Sequence, residues 1–166
     1  MVIIVENFKK ILKEILPYVI IILVVVLIRT FLITPVTVDG PSMNETLTDG
    51  DVLFLKKYDK SIERFDVIVF KRNNERLIKR VLALPGEKIK CVSGIIYVNN
   101  EEIDNSHALG KTADFKEVIL GDDEYFAVGD NRENSFDSRS FGPIKKDVIQ
   151  GTVDLRIFPF NKIKKF

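Results

Sequence analysis

The apolar residues of this chain fall into two regimes. Residues 15–28 read Ile-Leu-Pro-Tyr-Val-Ile-Ile-Ile-Leu-Val-Val-Val-Leu-Ile without a charge, and after Arg29-Thr30 the run resumes as Phe31-Leu32-Ile33. A membrane span needs about 20 apolar residues. Counted on to Ile33 the stretch has 19, with Arg29 near its end, where a guanidinium can snorkel to the headgroups. Pro35 disfavours helix at Thr34, so the helix is predicted to stop near Ile33. A buried soluble helix would need a polar face, which an unbroken β-branched run lacks. A cleaved leader would need a small-residue cut site, and no Ala precedes Ala83. An uncleaved anchor fits best. Lys9, Lys10 and Lys13 precede it, so the positive-inside rule puts the N-terminus in the cytoplasm and the rest outside. The expected organisation is a cytoplasmic segment 1–14, a single-pass transmembrane helix 15–33 and an extracytoplasmic domain 34–166.

Beyond Pro35 the pattern changes to short β-rich runs separated by turn residues. Strands are expected at 35–38, 52–57, 65–72, 76–84, 88–92, 95–98, 116–120, 124–128 and 152–158. Ser93-Gly94 reads as a tight hairpin, and Asn73-Asn74 as a turn between the third and fourth runs. No later stretch keeps a helical period for three turns, although 145–149 could make one. The expectation is a mainly β, antiparallel domain, barrel-like or sandwiched, behind one N-terminal transmembrane helix.

Composition narrows the chemistry. The chain has 166 residues, 25 Lys+Arg against 24 Asp+Glu, and one each of Cys and His. Such a balance carries no nucleic-acid footprint. Cys91 and His107 cannot build a Cys/His zinc site, a disulfide or a redox pair, and a lone His makes a Ser-His-Asp triad unattractive. Chemistry here must come from Ser, Lys, Arg and carboxylates.

Three segments offer it. The first is Val38-Asp39-Gly40-Pro41-Ser42-Met43-Asn44-Glu45-Thr46-Leu47, in which Gly-Pro bends the chain before Ser42. A serine on such a bend can present its hydroxyl and N–H to a cleft, or merely cap the next turn. Asn44 stands where the second glycine of a Gly-x-Ser-x-Gly elbow would be. The second is Leu77-Ile78-Lys79-Arg80-Val81-Leu82-Ala83-Leu84. On a strand, Leu77, Lys79, Val81 and Ala83 share one face, making Lys79 a charge in an apolar row. A lysine with an ordinary pKa of about 10.4 is only ~0.04% neutral at pH 7, whereas at about 8 it is near 10% neutral. That shift is worth roughly 3.3 kcal/mol, within reach of burial. Snorkelling from a strand edge is the other reading, for Lys79 and for Arg80. The third segment, 125–142, is a strand running into a polar loop, Gly129-Asp130-Asn131-Arg132-Glu133-Asn134-Ser135-Phe136-Asp137-Ser138-Arg139. It reads as a solvated turn held by Asp–Arg pairs, or as the frame of a site. A calcium loop fits poorly, because Arg132 and Ser135 occupy a ligand position and the glycine position.

Taken together the segments resemble bacterial signal peptidase I, the membrane-bound serine endopeptidase that removes signal peptides from exported proteins. Gly-x-Ser-Met-x-x-Thr-Leu, Lys-Arg-Val-x-x-x-Pro-Gly-Glu and Gly-Asp-Asn-Arg-x-x-Ser-x-Asp-Ser-Arg occur in the family's order. The resemblance runs from the anchor through Gly142 and implies a LexA-like antiparallel β catalytic domain. It implies that Ser42 is the nucleophile, Lys79 its general base and Ser135 the serine that orients that lysine. Asp137 and Arg139 resemble the supporting pair, with Arg80, Asp130, Asn131 and Arg132 framing the same loop. Val36, Val38, Met43, Leu47, Leu77 and Ile78 are implied to line shallow pockets for small residues at the first and third positions before the cut. The implied partners are secretory preproteins and the lipid bilayer, with no nucleic acid, metal or cofactor. In some relatives a serine two residues before the nucleophile donates to the oxyanion; here Gly40 stands there, as in the Gram-positive branch.

Other classes remain open on sequence. A membrane-tethered β binding module would leave Ser42 and Lys79 structural. Self-cleaving repressors share a Ser/Lys dyad but carry a DNA-binding domain and no span. A sortase-like enzyme would need Cys91 beside His107, but Cys91 lies in an expected hairpin and reads as a small buried or edge residue.

Overall fold

A computed structural model describes residues 2–31, 33–57 and 61–165. Helix α1 (Val2–Phe31) starts earlier than the expected span and stops two residues sooner. Its end lies four residues before Pro35, where strand pairing also begins. Ile33 already belongs to β1 (Ile33–Thr37), opposite Lys56. The last-turn carbonyls of the helix find partners in that sheet: Thr34 Oγ1 donates to Arg29 O at 2.9 Å and Lys57 Nζ to Thr30 O at 3.2 Å. At the other end, Lys, Leu, Ile and Glu in residues 9–14 favour helix, so the anchor's helix extends into the charged flank. The stretch Lys10–Thr30 is long and apolar enough to cross a membrane, with mean hydropathy 2.7. At 1.5 Å per residue it is about 31 Å long, close to the ~30 Å hydrocarbon core. None of it is buried by protein, which removes the soluble-core-helix reading.

The remaining chain forms two antiparallel sheets. In chain order the strands are β2 (Val52–Lys56), β3 (Val67–Arg72), β4 (Glu75–Ala83), β5 (Lys88–Val92), β6 (Ile95–Val98), β7 (Glu101–Glu102), β8 (Phe115–Ile119) and β9 (Glu124–Val128). A one-turn helix α2 (Ser138–Phe141) follows, then β10 (Ile144–Lys145), β11 (Ile149–Phe158) and β12 (Lys164–Lys165). The larger sheet runs β1-β2-β11-β3-β4-β9-β10, with β12 on β11; the smaller runs β7-β6-β5-β8.

The expected strands are all present, with ends shifted by a few residues at most. Phe65 drops out of the third because its φ is +73°, in the left-handed region that a strand does not accept. The turns at Asn73-Asn74 and Ser93-Gly94 have positive φ at both central residues, the geometry that matches strand twist. The two-residue strands β7, β10 and β12 were not expected, nor was α2, because so few residues carry no period. The single turn at 145–149 appears as a 3-10 helix at Lys146–Val148.

Both faces of the large sheet are covered. Val67 and Val69 of β3 point into one cluster with Val36, Val38, Met43, Leu47, Leu53, Leu55, Ile78 and Val153. Ile68 and Phe70 point into another with Val81, Tyr125, Ala127, Ile144 and Ile149. A third cluster joins the sheets around Leu82, Ile89, Ile96 and Phe126, and Cys91 is one of its core residues. Met43 and Leu47 are the anchors of the loop after β1. Each is essentially fully buried, worth about 2–3 kcal/mol of burial, so the loop carrying Ser42 is fastened to the core from below.

Candidate active site

Gly40 opens the Ser42 loop at φ +85°, a conformation that only glycine takes without strain. Its N–H donates to Asp49 Oδ1 at 2.8 Å. Asn44 N–H then closes a turn on Pro41 O at 3.0 Å, and Leu47 N–H one on Met43 O at 2.8 Å. From across the chain, Asn131 N–H donates to Ser42 O at 3.0 Å and Asn131 Nδ2 to Pro41 O at 3.2 Å. The serine is thus held from both sides while its own N–H has no hydrogen-bond partner among the described residues.

Lys79 arrives from β4, 37 residues away, and its Nζ lies 2.6 Å from Ser42 Oγ. The residue is 2% exposed. Burial pushes its pKa down; Asp137 and Asp130 pull the other way and Arg139 adds to the depression, leaving it lowered from 10.5 to about 8. Lys79 is therefore not a snorkelling surface lysine. Neither is Arg80. Its guanidinium grips Asp130 through two bonds, Nε–Oδ1 at 2.9 Å and Nη2–Oδ2 at 2.7 Å, with both side chains buried. It also donates to Phe65 O and to Thr46 Oγ1 of the serine loop.

The 129–139 loop is a frame, not a solvated turn. Asp137 caps α2 and accepts from Gly129 N–H at 3.0 Å and from Arg139 Nε and Nη2 at 2.8 and 2.7 Å. Burial works to raise its pKa, but the Arg139 and Gly129 bonds outweigh it, so the carboxyl stays ionised below its ordinary value. Arg132 donates to Gly129 O and Thr112 Oγ1. A Cβ on Gly129 would stand 2.3 Å from Ser135 Oγ and 2.4 Å from Ser42 O, so only glycine fits between them.

Two expected site residues sit elsewhere than foreseen. Ser135 Oγ is buried without a hydrogen-bond partner and does not bond Lys79, whose Nζ is engaged by Ser42. It lies close enough to Asp137 to help lower that pKa, though outside hydrogen-bond geometry. Leu47 is fully buried in the core behind the loop, outside the cleft. Val36, Val38, Met43, Leu77 and Ile78 do line a small cavity of about 50 Å³ with Ser42 and Lys79. It continues into an open groove of about 1160 Å³ along residues 35–39 and 75–77. Two strand edges border this groove. β1 pairs on one side only, and β9 pairs with β4 only from Arg80 onward, leaving the Glu75–Lys79 edge free there.

Sequence reasoning missed several supports. Thr46, Asp51 and Arg156 lock the serine loop, with Arg156 Nη1 on Asp51 Oδ2 at 2.8 Å and Asp51 Oδ2 accepting Thr48 N–H. Thr112, Asn105 and Ser138 satisfy buried groups around the 129–139 loop. No local pattern distinguishes these polar residues from ordinary turn residues.

A serine hydroxyl against a desolvated lysine, in a cleft edged by free strands, is an arrangement suited to a serine endopeptidase. The chain belongs to the signal peptidase family, peptidase S26, whose profile matches residues 11–158. It is 37% identical over 155 residues to a signal peptidase I of Bacillus amyloliquefaciens, covering 84% of each chain. It is 32% identical to signal peptidase I S of Bacillus subtilis, covering 97% of this chain and 96% of that one. The crystal structure of a signal peptidase I from Enterococcus faecalis superposes with TM-score 0.51 at 30% identity, covering 55% of this chain and 96% of the other. The function is that of a signal peptidase I, a membrane-associated serine endopeptidase of the Gram-positive-like kind.

Proposed function

We propose that Ser42 and Lys79 are the catalytic pair and that the chain cuts signal peptides from exported preproteins after small residues at −1 and −3. The observation that carries this is the 2.6 Å Ser42–Lys79 contact at a lysine whose pKa is lowered to about 8. Neutral Lys79 takes the Ser42 proton as Oγ attacks the scissile carbonyl, and the Ser42 N–H, free of other partners, meets the developing oxyanion. Protonated Lys79 then gives its proton to the leaving amine. Water, activated in turn by Lys79, hydrolyses the acyl-enzyme.

The strand edges at 35–38 and 76–78 suit an extended substrate that adds backbone hydrogen bonds between them. Alternate side chains would point down, and a cavity of about 50 Å³ accommodates a methyl but no large side chain. Residues 1–14 are assigned to the cytoplasm, 15–33 to the anchor and 34–166 to the outer side. That orientation sets the cleft on the face where an exported chain emerges. Arg80, Asp130, Asn131, Arg132, Asp137 and Arg139 hold the geometry, and Ser135 packs it.

The test is cleavage of an Ala-x-Ala precursor by the full chain in detergent, with the cut mapped by mass spectrometry. Ser42→Ala and Lys79→Ala should each abolish the cut after the second Ala, and Leu at −1 should block it. Normal cleavage by either variant would overturn the assignment.

A further inference from the structure

In the β3–β4 ladder Val69 stands opposite Ile78, and both face the cluster that holds Val36, Val38 and Met43. A strand repeats its face every second residue. The next pair of that row, one step further from Lys79, is Lys71 opposite Arg76. Both are exposed, and neither has an ion pair or a side-chain hydrogen bond among the described residues. Like charges directly opposite on one face repel. The fold therefore holds two cations side by side with nothing to neutralise them. Arg76 lines the small cavity beside Ser42 and Lys79 as well as the open groove, whereas Lys71 lines the groove and not that cavity. The pair marks the way out of the cleft.

The acids around the groove do not answer these cations. Val36 and Val38 are buried, while Pro35, Thr37 and Asp39 alternate with them and are exposed, so Asp39 belongs to the outward row. Glu75 has the opposite parity to Arg76 and stands opposite Arg72. Asp49 accepts the Gly40 N–H. Asp147 shares a neighbouring hollow with Lys71 and makes no ion pair with it.

We infer that Lys71 and Arg76 form a subsite for an acidic side chain at position −5 of the preprotein. The inference rests on the reading of the cleft as the place that takes small residues at −1 and −3. An extended chain that sets those residues over Val36, Val38 and Ile78 turns −5 to the same face. Two residues of such a chain advance about 6.7 Å, the same step that separates Ile78 from Arg76 on β4. A carboxylate there meets both cations and replaces their repulsion with two attractions. A lysine there adds a third like charge. Position −4 faces the other way, toward the side of Asp39 and Glu75, so an acid at −4 gains nothing.

The full chain in detergent is given Ala-x-Ala precursors that differ only in Glu, Gln or Lys at −5. The kcat/KM values are compared within each variant, so that a general loss of activity cancels. With the parent, Glu should be cut about fivefold faster than Gln, and Lys slower by a similar factor, the range of exposed ion pairs. Lys71→Glu with Arg76→Glu should reverse the order, and Lys71→Gln with Arg76→Gln should level it. Moving Glu to −4 should abolish the advantage, and salt at about 1 M should shrink it. An order that survives charge reversal overturns the inference, as does an equal gain from Glu at −4 and at −5. Loss of the preference on adding phosphatidylglycerol to the micelles would give the two cations to lipid headgroups, and overturns it too. Fluorescence anisotropy of labelled precursor peptides on Ser42→Ala should show the same order in Kd with no cut involved. Cleavage by Ser42→Ala or Lys79→Ala would overturn the dyad and leave that order in Kd standing, so the two failures are distinct.

Discussion

Replacing Lys79 by Met keeps an unbranched side chain of similar volume and removes the charge. In the fold the Lys79 pKa falls from 10.5 to about 8, and the residue is 2% exposed. One pKa unit is about 1.4 kcal/mol, so holding the ammonium in the folded state costs roughly 3 kcal/mol. Between pH 8 and 10.5 the unfolded chain still binds a proton that the folded chain has released, so stability rises with pH across that window. Below about pH 8 both states are protonated and the penalty is complete and constant; above 10.5 it is gone. Lys79→Met should therefore be inactive and yet more stable than the parent at pH 7, by up to about 3 kcal/mol, with the margin closing as pH approaches 10.5. Denaturant unfolding of the full chain in mild detergent, followed by circular dichroism at several pH values from 7 to 10.5, measures this. Subtracting variant from parent cancels the other titrating groups. A margin that stays constant from pH 8 to 10 would mean that the folded lysine keeps an ordinary pKa, and the neutral base would then be too scarce to act.

As the proposed base, the same lysine should set the pH dependence of the reaction. The kcat/KM for a precursor should climb about tenfold per pH unit below pH 8 and level off above it, and Lys79→Arg, which cannot deprotonate, should be inactive throughout; a profile flat from pH 6 to 9 would contradict the assignment. Gly129→Ala forces a Cβ to within 2.4 Å of Ser42 O, so something must shift by roughly 1 Å, and kcat should fall about 10²-fold with little change in KM. Unchanged kcat in that variant would show that the serine loop is not held as described. Arg80→Met leaves Asp130 buried and unpaired and should destabilise the chain by about 3–5 kcal/mol, while Arg80→Met with Asp130→Leu should recover most of it. Additive losses in unfolding experiments would refute the pairing.

How much of this was legible beforehand differs element by element. The anchor and the strands could be read because their signal is local: an uncharged run long enough to span lipid, and apolar residues alternating between turns. The exact ends could not. Ile33 pairs with Lys56 in a ladder, and that contact together with Pro35 ends α1 at Phe31. The two-residue strands and α2 exist only because neighbours supply their hydrogen bonds. At the site, the three motifs pointed to Ser42 and Lys79, but the two residues are 37 positions apart and meet only through the order of strands in the large sheet.

The sequence by itself determined that this chain carries one membrane-length helix, a β domain and no Cys/His chemistry. It also put a lone lysine among apolar neighbours. Tertiary structure decided that this lysine is dry. Desolvation depends on everything packed around Nζ, from Ser42 to Asp137, and no stretch of sequence contains that information. It decided as well that Arg80 pairs with Asp130 across 50 residues instead of reaching for water. Leu47 went to the core and Ser135 Oγ was left without a partner for the same reason. Periodicity is a property of neighbours along the chain, whereas dielectric and hydrogen-bond partners are properties of neighbours in space.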